Sequence, residues 1–359
     1  MSTATTGEQA FNARELELAT LAQVLQAQPL SASQSESFFA AVARGAIDPI
    51  VLASVLTALK LRGETAAEIA GAAKAFRAAA TPLPLPSGFA PEHAIIDCCG
   101  TGGDGSNTIN ISTTAAIVAA ACGLTVAKHG NRSVSSQSGS ADLLEQLGVN
   151  LEQTPAQAAN TLAQAGVSFL FAPRYHSGIR HAMPVRTALK TRTLFNLLGP
   201  LLNPAAPKFQ LLGVYDESLC QLLAQALLQL GVERAWVVHG EGCDEIALHG
   251  VTHVAEVRDG QIRQFSLTAA DFGLPPVPLA TLSGGTPADN AAATRAILAG
   301  TAPPAHLYAV AANVAAMLTI CGHGEPLAKQ TEQVLALLQS GKAKQTLARF
   351  VAASHGEPL

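Results

Sequence analysis

Asp97-Cys98-Cys99-Gly100-Thr101-Gly102-Gly103-Asp104-Gly105, then Asn110-Ile111-Ser112-Thr113, then Lys128-His129-Gly130-Asn131-Arg132-Ser133-Val134-Ser135-Ser136 is the stretch from which the rest of the chain is read. Two loops rich in glycine, hydroxyl and amide groups each follow a short apolar run, about one strand–helix unit apart. Glycine lets the backbone take positive φ and come close to a ligand. Successive N–H groups can then converge on an anion, and a helix starting near Thr113 adds its positive end. Ser112 and Thr113 offer hydroxyls, and Lys128 brings a full charge to the end of the next strand. The stretch reads as a holder for a phosphorylated ligand. Asp104, an acid inside an anion site, suits sugar hydroxyls or a metal.

Outward from it, strands alternate with helices. Apolar runs at 94–99, 124–127, 167–171, 209–215 and 234–239 read as strands. Segments 113–122, 140–147, 154–165, 176–190, 217–230, 286–300, 305–320 and 326–339 read as helices. Asp259-Gly260 between 254–258 and 261–266 signals a hairpin. Such alternation predicts a mainly parallel sheet with helices on both faces. Ligands then bind at the carboxyl ends of the strands, where loops 100–108, 128–136 and 240–245 should meet. Residues 12–80 read as wholly helical, with Asp48-Pro49 opening one helix and Thr65-Ala66-Ala67-Glu68 boxing the start of another. Pro82, Pro84 and Pro86 mark a boundary, giving a helical unit 1–86 and an α/β unit 87–359.

Composition narrows the classes. The chain has 359 residues, 48% hydrophobic and 13% charged, which fits a folded chain with a sizeable core. A net charge of -4 argues against a general nucleic-acid binder. The polar start lacks the apolar core of a signal peptide, and no apolar run reaches membrane-spanning length. Six cysteines form no C-x-x-C pair, so reduced thiols and a cytoplasmic location are expected.

Gly100, Gly102 and Gly105 match a dinucleotide-type G-x-G-x-x-G. The acid expected about 20 residues on is replaced by Lys128-His129. Lys128 is read as a phosphate ligand. His129 fits packing or ligand contact equally, Asn131 caps its loop or orients a substrate, and Arg132 is read as structural. Gly242-Cys243-Asp244-Glu245 fits a solvated pair or a Mg²⁺ site, since Mg²⁺ takes one or two carboxylates plus substrate phosphates and water. Arg186 lies in a basic helical stretch with Arg174, His176, Arg180 and His181, which residue by residue reads as a solvated face. Asp216 reads as a helix cap and Trp236 as core.

Gly-Thr-Gly-Gly-Asp-Gly at 100–105, Asn-Ile-Ser-Thr at 110–113 and Lys-His-Gly-Asn-Arg-Ser-Val-Ser-Ser at 128–136 together resemble the anthranilate phosphoribosyltransferases. Ser138-Gly139-Ser140-Ala141-Asp142, Pro184-Val185-Arg186, Arg192-Thr193-Leu194-Phe195-Asn196-Leu197-Leu198-Gly199-Pro200 and Asp244-Glu245 extend the likeness over nearly the whole chain, as do Arg62-Gly63-Glu64 and Glu68-Ile69-Ala70-Gly71. The resemblance implies the fold of the class II nucleoside phosphorylases, with segment 176–190 joining the N-terminal helices. It implies a homodimer packed through the helical unit and leaves association with anthranilate synthase open. The implied reaction joins anthranilate and phosphoribosyl pyrophosphate, with Mg²⁺, in tryptophan synthesis. Carried over, Gly100, Gly103, Asp104, Thr108, the run Asn110-Ile111-Ser112-Thr113, the run from Lys128 through His129, Gly130, Asn131, Arg132, Ser133, Val134, Ser135 and Ser136, and Ser140 would bind phosphoribosyl pyrophosphate. Gly100, Asn131 and Arg186 would contact anthranilate, and Ser112, Asp244 and Glu245 would hold Mg²⁺. No residue is identified as a general acid or base. Three places depart from the family pattern: Gln137 where lysine is usual, His176-Ser177-Gly178 for His-Pro-Ala, and Cys243 beside the acid pair.

Overall fold

The helix-start signals of the N-terminal region act as their chemistry predicts. The computed structural model describes residues 4–89, 94–133 and 137–357. Helices α1 (Ala4–Leu25), α2 (Ala32–Ala43), α3 (Pro49–Arg62) and α4 (Ala66–Ala78) form a bundle. Asp48 accepts from the Ile50 N–H ahead of Pro49, and Thr65 and Glu68 cap one another. Glu68 is buried but satisfied. Its carboxylate accepts the Leu30 and Thr65 N–H groups at 2.8 Å each and pairs with Arg62.

The remainder is an α/β domain. In order come β1 (Ile96–Gly100), α5 (Ile111–Ala121), β2 (Val126–Gly130), α6 (Ser140–Leu147), α7 (Pro155–Ala165) and β3 (Val167–Phe171). Then follow α8 (Ala172–Tyr175), α9 (Met183–Leu189), α10 (Leu194–Leu198), β4 (Phe209–Gly213), α11 (Leu219–Gln229) and β5 (Arg234–Gly240). The hairpin β6 (Thr252–Arg258) and β7 (Gln261–Leu267) precedes α12 (Pro287–Leu298), α13 (Pro304–Ile320), α14 (Leu327–Gln339) and α15 (Lys342–Ser354). The sheet has seven strands in the order β3-β2-β1-β4-β5-β6-β7. β1 to β5 run parallel, and β6 and β7 add antiparallel. The chain steps outward from β1 through β2 to β3 and then returns beside β1 with β4. That reversal opens a crevice between β1 and β4, where α/β proteins bind ligands.

Two apolar layers hold the sheet. On one face α5 and α13, buried from Ala309 to Leu318, pack with Ile96, Ile117 and Val126. On the other, α11 and the helical bundle share one core, in which Phe38, Phe39, Phe76 and Phe195 meet mostly edge-on. The helical domain is therefore seated directly on the sheet layer. All six cysteines are free thiols. No helix among the described residues is long and apolar enough to cross a membrane.

Two expectations are corrected. The single helix expected over 176–190 is a 3-10 turn, Ser177–Ala182, followed by α9. Pro184 sits in the first turn of α9, where its missing N–H needs no partner. Gly178 lies so close to the Ala43 carbonyl that a Cβ would meet its oxygen at 2.9 Å, which accounts for glycine in place of alanine here. The last helix, α15, is an addition to the elements expected after 340. Its buried Ala343, Leu347 and Phe350 have helical spacing, and Gly341 breaks the chain at φ 78° just before it.

Candidate active site

Three neighbouring strands end in glycine: β1 in Gly100, β4 in Gly213 and β5 in Gly240, with Gly100 and Gly213 opposite in register. The reason is the 240–245 loop, which folds back over the strand ends. A methyl group on Gly100 would overlap the Asp244 carboxylate, one on Gly213 the Asp244 carbonyl, and one on Gly240 the Glu245 carbonyl. Gly213→Ala is expected to displace that loop and lower activity by roughly a hundredfold, at a stability cost of about 1–3 kcal/mol for overpacking. Steady-state kinetics and chemical denaturation measure the two effects.

The loop places its acids on the glycine-rich turn after β1. Asp244 Oδ2 accepts the Gly102 N–H at 2.8 Å, and the Asp244 N–H donates to Asp104 Oδ2 at 3.2 Å. Glu245 Oε1 accepts the Ser112 N–H in the first turn of α5 at 3.1 Å. Lys128, buried at the end of β2, donates to the Cys98 carbonyl and lies 3.4 Å from Ser112 Oγ. Burial, with repulsion from Asp104, raises the Asp244 carboxyl to about 6. Burial, with repulsion from Asp244, raises Glu245 to about 8. These acids carry more negative charge than Lys128 balances. Together with the Ser112 hydroxyl they offer only oxygen donors, as Mg²⁺ requires. Among the described residues no group of three His, Cys, Asp or Glu side chains closes around a metal. The donor set thus suits an ion completed by substrate oxygens and water. A cavity of about 10 Å³ beside Cys98, Ser112, Asp244, Glu245 and Asn313 has room for about one water or small ion.

Beneath Lys128 lies a buried support. The fully buried Asp97 carboxylate accepts from the His129 N–H at 3.3 Å and from Cys99 Sγ at 3.5 Å. It lies beside Lys128 and Asn203, and Asn203 donates to the Ala127 carbonyl at 2.7 Å. The His129 ring packs against the Gly199 carbonyl and edge-on to His176. Burial, with His176 and Lys128 adding repulsion, lowers His129 to about 3, and burial lowers His176 to about 4. The unfolded chain binds more protons than the native state below about pH 6.5, so acid weakens the fold. Denaturation is expected to show a loss of roughly 2 kcal/mol per histidine between pH 7 and 5, and His176→Asn should remove one such increment.

The second loop is braced from α6. Arg132 pairs with Asp142 at 3.0 Å and Glu145 at 2.9 Å, and Asp142 also accepts the Ser133 and Gly139 N–H groups. Asn131 Oδ1 accepts the Arg132 N–H, and the Asn131 carbonyl accepts from Ala141 at the start of α6, next to Ser140. Gly130 ends β2. Val134, Ser135 and Ser136 lie outside the described residues. Asn110 joins the two loops: its Nδ2 donates to the Ser138 carbonyl, while its Oδ1 accepts from Ser138 Oγ and from Asn290. Ile111 and Thr113 are buried in the first turn of α5, and Thr108 bridges to Ser283. Gly103 forms the crest of the first loop at φ 74°.

Arg186, on α9, is half-buried with its guanidinium 5.3 Å from the centre of the Phe195 ring. Burial holds it below its ordinary pKa, and it pairs with no carboxylate among the described residues. A half-buried guanidinium with no carboxylate partner has the donor geometry to receive one. Arg192 received no role from sequence, yet it donates to the Gly103 carbonyl and stacks 3.7 Å above the Tyr215 ring. Its one signal in the sequence is that it opens the 192–200 run that carries part of the family likeness. Asp97 stood inside the decisive motif, but only the fold reveals its burial beside Lys128.

Comparisons with known proteins agree with this geometry. The glycosyl transferase family patterns match twice: the helical bundle domain over residues 19–80 and the a/b domain over residues 92–344. The anthranilate phosphoribosyltransferase of Aeromonas salmonicida is 56% identical over 332 residues, covering 92% of this chain and 97% of its own. That of Photobacterium profundum is 54% identical, covering 90% and 94%. The crystal structure of the Thermus thermophilus enzyme superposes with a TM-score of 0.87 at 41% identity, covering 94% of this chain and 99% of that one. The Saccharomyces cerevisiae enzyme, in complex with PRPP and Mg, gives 0.85 at 28% identity, covering 95% and 98%. Helical bundle, seven-stranded sheet and glycine-ended strands capped by an acidic loop thus occur in a chain that belongs to the anthranilate phosphoribosyltransferase family of glycosyltransferase enzymes.

Proposed function

We propose that the chain transfers the phosphoribosyl group of 5-phosphoribosyl 1-pyrophosphate to the amine of anthranilate, releasing N-(5-phosphoribosyl)anthranilate and pyrophosphate, in L-tryptophan biosynthesis. The observation that carries this reading is the half-buried Asp244-Glu245 pair locked onto the Gly102–Ser112 loop beside Lys128. Such an arrangement suits a polyanion bound together with a divalent cation. Gly100, Gly103, Asp104, Thr108, Asn110, Ser112, Thr113, Lys128 and Ser140 form the phosphoribosyl pyrophosphate side, with the second loop from His129 to Ser136 around it. Asn131 and Arg186 serve anthranilate. Ser112, Asp244 and Glu245 would hold Mg²⁺, which when bound supplies charge neutralisation for pyrophosphate.

In the reaction the bond between ribose C1 and the pyrophosphate oxygen breaks and a C1–N bond forms. The amine is a weak nucleophile, so bond breaking runs ahead and C1 gains positive character. Lys128 and the loop N–H groups stabilise the departing oxygens. Arg186 fixes the anthranilate carboxylate, and Asn131 orients the amine on the opposite face, so the configuration at C1 inverts. The amine proton leaves to water or pyrophosphate. Holding both reactants in line contributes up to about 7 kcal/mol.

The chain is read as a cytoplasmic homodimer joined through the helical domain. Ile50 and Leu61 are 77% and 82% exposed on α3, and an apolar cavity of about 610 Å³ between α1 and α3 lies beside Leu61. An apolar surface of this kind fits a partner helix. The substrate assignment is tested by Arg186→Ala. The KM for anthranilate is expected to rise about 100-fold with little change in that for phosphoribosyl pyrophosphate. Unchanged affinity for anthranilate would overturn the role of Arg186.

A further inference from the structure

The glycine-rich loop after β1 is held at its crest from two sides. On one side Asp244 accepts the Gly102 N–H. On the other, Arg192 donates to the Gly103 carbonyl. Gly102, Gly103 and Gly105 all have positive φ and no side chains to pack. Asp104 between them accepts from Ser106 and from the Asp244 N–H, and the Gly102 N–H and Gly103 carbonyl are held by these outside contacts.

Arg192 is itself fixed from two directions. Its guanidinium lies on Tyr215, 3.7 Å from the ring centre, and the Tyr215 N–H donates to Thr101 Oγ1 at 3.1 Å. The arginine and its platform therefore grip the same loop at Gly103 and Thr101. The main-chain carbonyl of Arg192 accepts from Lys60 Nζ, on α3 of the helical domain, at 2.8 Å. Earlier on the same segment stands Arg186, separated from Arg192 only by the end of α9 and a short connection.

We propose that Arg192 is a positioning residue that sets the register between the phosphoribosyl pyrophosphate loop and the α9–α10 segment carrying Arg186. It does so through the Gly103 carbonyl, with Tyr215 as its platform and Lys60 as its tie to the helical domain. This inference rests on the functional reading above. Its consequence is that loss of the Arg192 side chain disturbs both substrates, because the distance between the two halves of the site is no longer held. Lysine is a poor replacement, since an ammonium cannot stack on the ring while aiming a planar donor at Gly103.

The test compares the wild-type full chain with Arg192→Gln, Arg192→Lys, Tyr215→Leu and the double variant Arg192→Gln/Tyr215→Leu. Arg192→Gln is expected to lower kcat about 10-fold and raise the KM values for both phosphoribosyl pyrophosphate and anthranilate about 10-fold, with the melting temperature nearly unchanged. Arg192→Lys should recover less than half of the lost kcat/KM. The double variant should be no worse than Arg192→Gln, because both residues act through one contact. Hydrogen exchange without substrates gives a second readout: the amides of 102–107 should exchange at least about 10-fold faster in Arg192→Gln. Kinetic constants within twofold of wild type, or unchanged exchange in the loop, would overturn the proposal. Additive losses in the double variant would do the same. An inactive wild-type chain whose loop exchange still responds to Arg192→Gln would contradict the functional reading and leave the loop registration standing.

Discussion

Asp244→Asn combined with Glu245→Gln is expected to abolish measurable transfer, with kcat/KM falling at least about a thousandfold, while the protein melts at or above the wild-type temperature in the absence of Mg²⁺. The opposite signs follow from the geometry. Asn and Gln keep the oxygens that accept the Gly102 and Ser112 N–H groups. They remove two half-buried acidic groups whose charged forms desolvation and mutual repulsion disfavour in the metal-free fold, Glu245 more than Asp244. The native site tolerates those charges for what they bind. Removing the charge that holds a divalent cation against a leaving pyrophosphate removes a large electrostatic contribution to the transition state. Titration calorimetry with Mg²⁺ and phosphoribosyl pyrophosphate should show binding lost in the variant. A variant that keeps more than about a tenth of the activity would remove the acid pair from the mechanism.

Lys128→Met is expected to damage both stability and activity. The charges of Lys128 and Arg77 both reach the fully buried Asp97, and loss of the lysine leaves that carboxylate with Arg77 and its hydrogen bonds only, a change expected to cost about 1–3 kcal/mol. Loss of its charge from beside Ser112 should lower kcat about 100- to 1000-fold. The double variant Lys128→Met/Asp97→Asn separates the two effects. Neutralising Asp97 should restore most of the stability and none of the activity. Restored activity in the double variant would mean that Lys128 acts only by holding the fold, and that the departing oxygens are stabilised by other groups.

Much of this was legible in the chain, and the pattern of success has a physical basis. Capping at Asp48 and Thr65 is local chemistry, so those helix starts follow from the residues within a position or two. β3 reads to the residue because Gly166, at φ 73°, closes the preceding helix and the apolar run begins at once. The expectation that three loops converge at the strand ends follows from alternation alone, and Gly102, Asp244, Ser112, Glu245 and Lys128 do meet there. Long-range packing was not legible. The glycines ending β1, β4 and β5 are explained only by the 240–245 loop that folds over them, and for Gly100 that loop comes from far along the chain. Arg192 opens the 192–200 run of the family likeness, but its contact is visible only once the turn at 101–105 is brought beneath it. His129 is evenly balanced between packing and ligand contact in the sequence, and only its fold neighbours, Gly199 and His176, show where the ring points. The break within 176–190 is hidden because Pro184 is compatible with a helix start as well as a helix end.

If the acidic and glycine-rich loops at the β1/β4 crevice join anthranilate to a phosphoribosyl group, the most direct measurement follows anthranilate fluorescence after the purified chain is mixed with phosphoribosyl pyrophosphate and Mg²⁺. The expected result is a loss of signal that needs all three components, stops on chelation of the metal, and is absent in the Asp244→Asn/Glu245→Gln variant. Unchanged fluorescence with a folded wild-type chain and fresh substrate would contradict it.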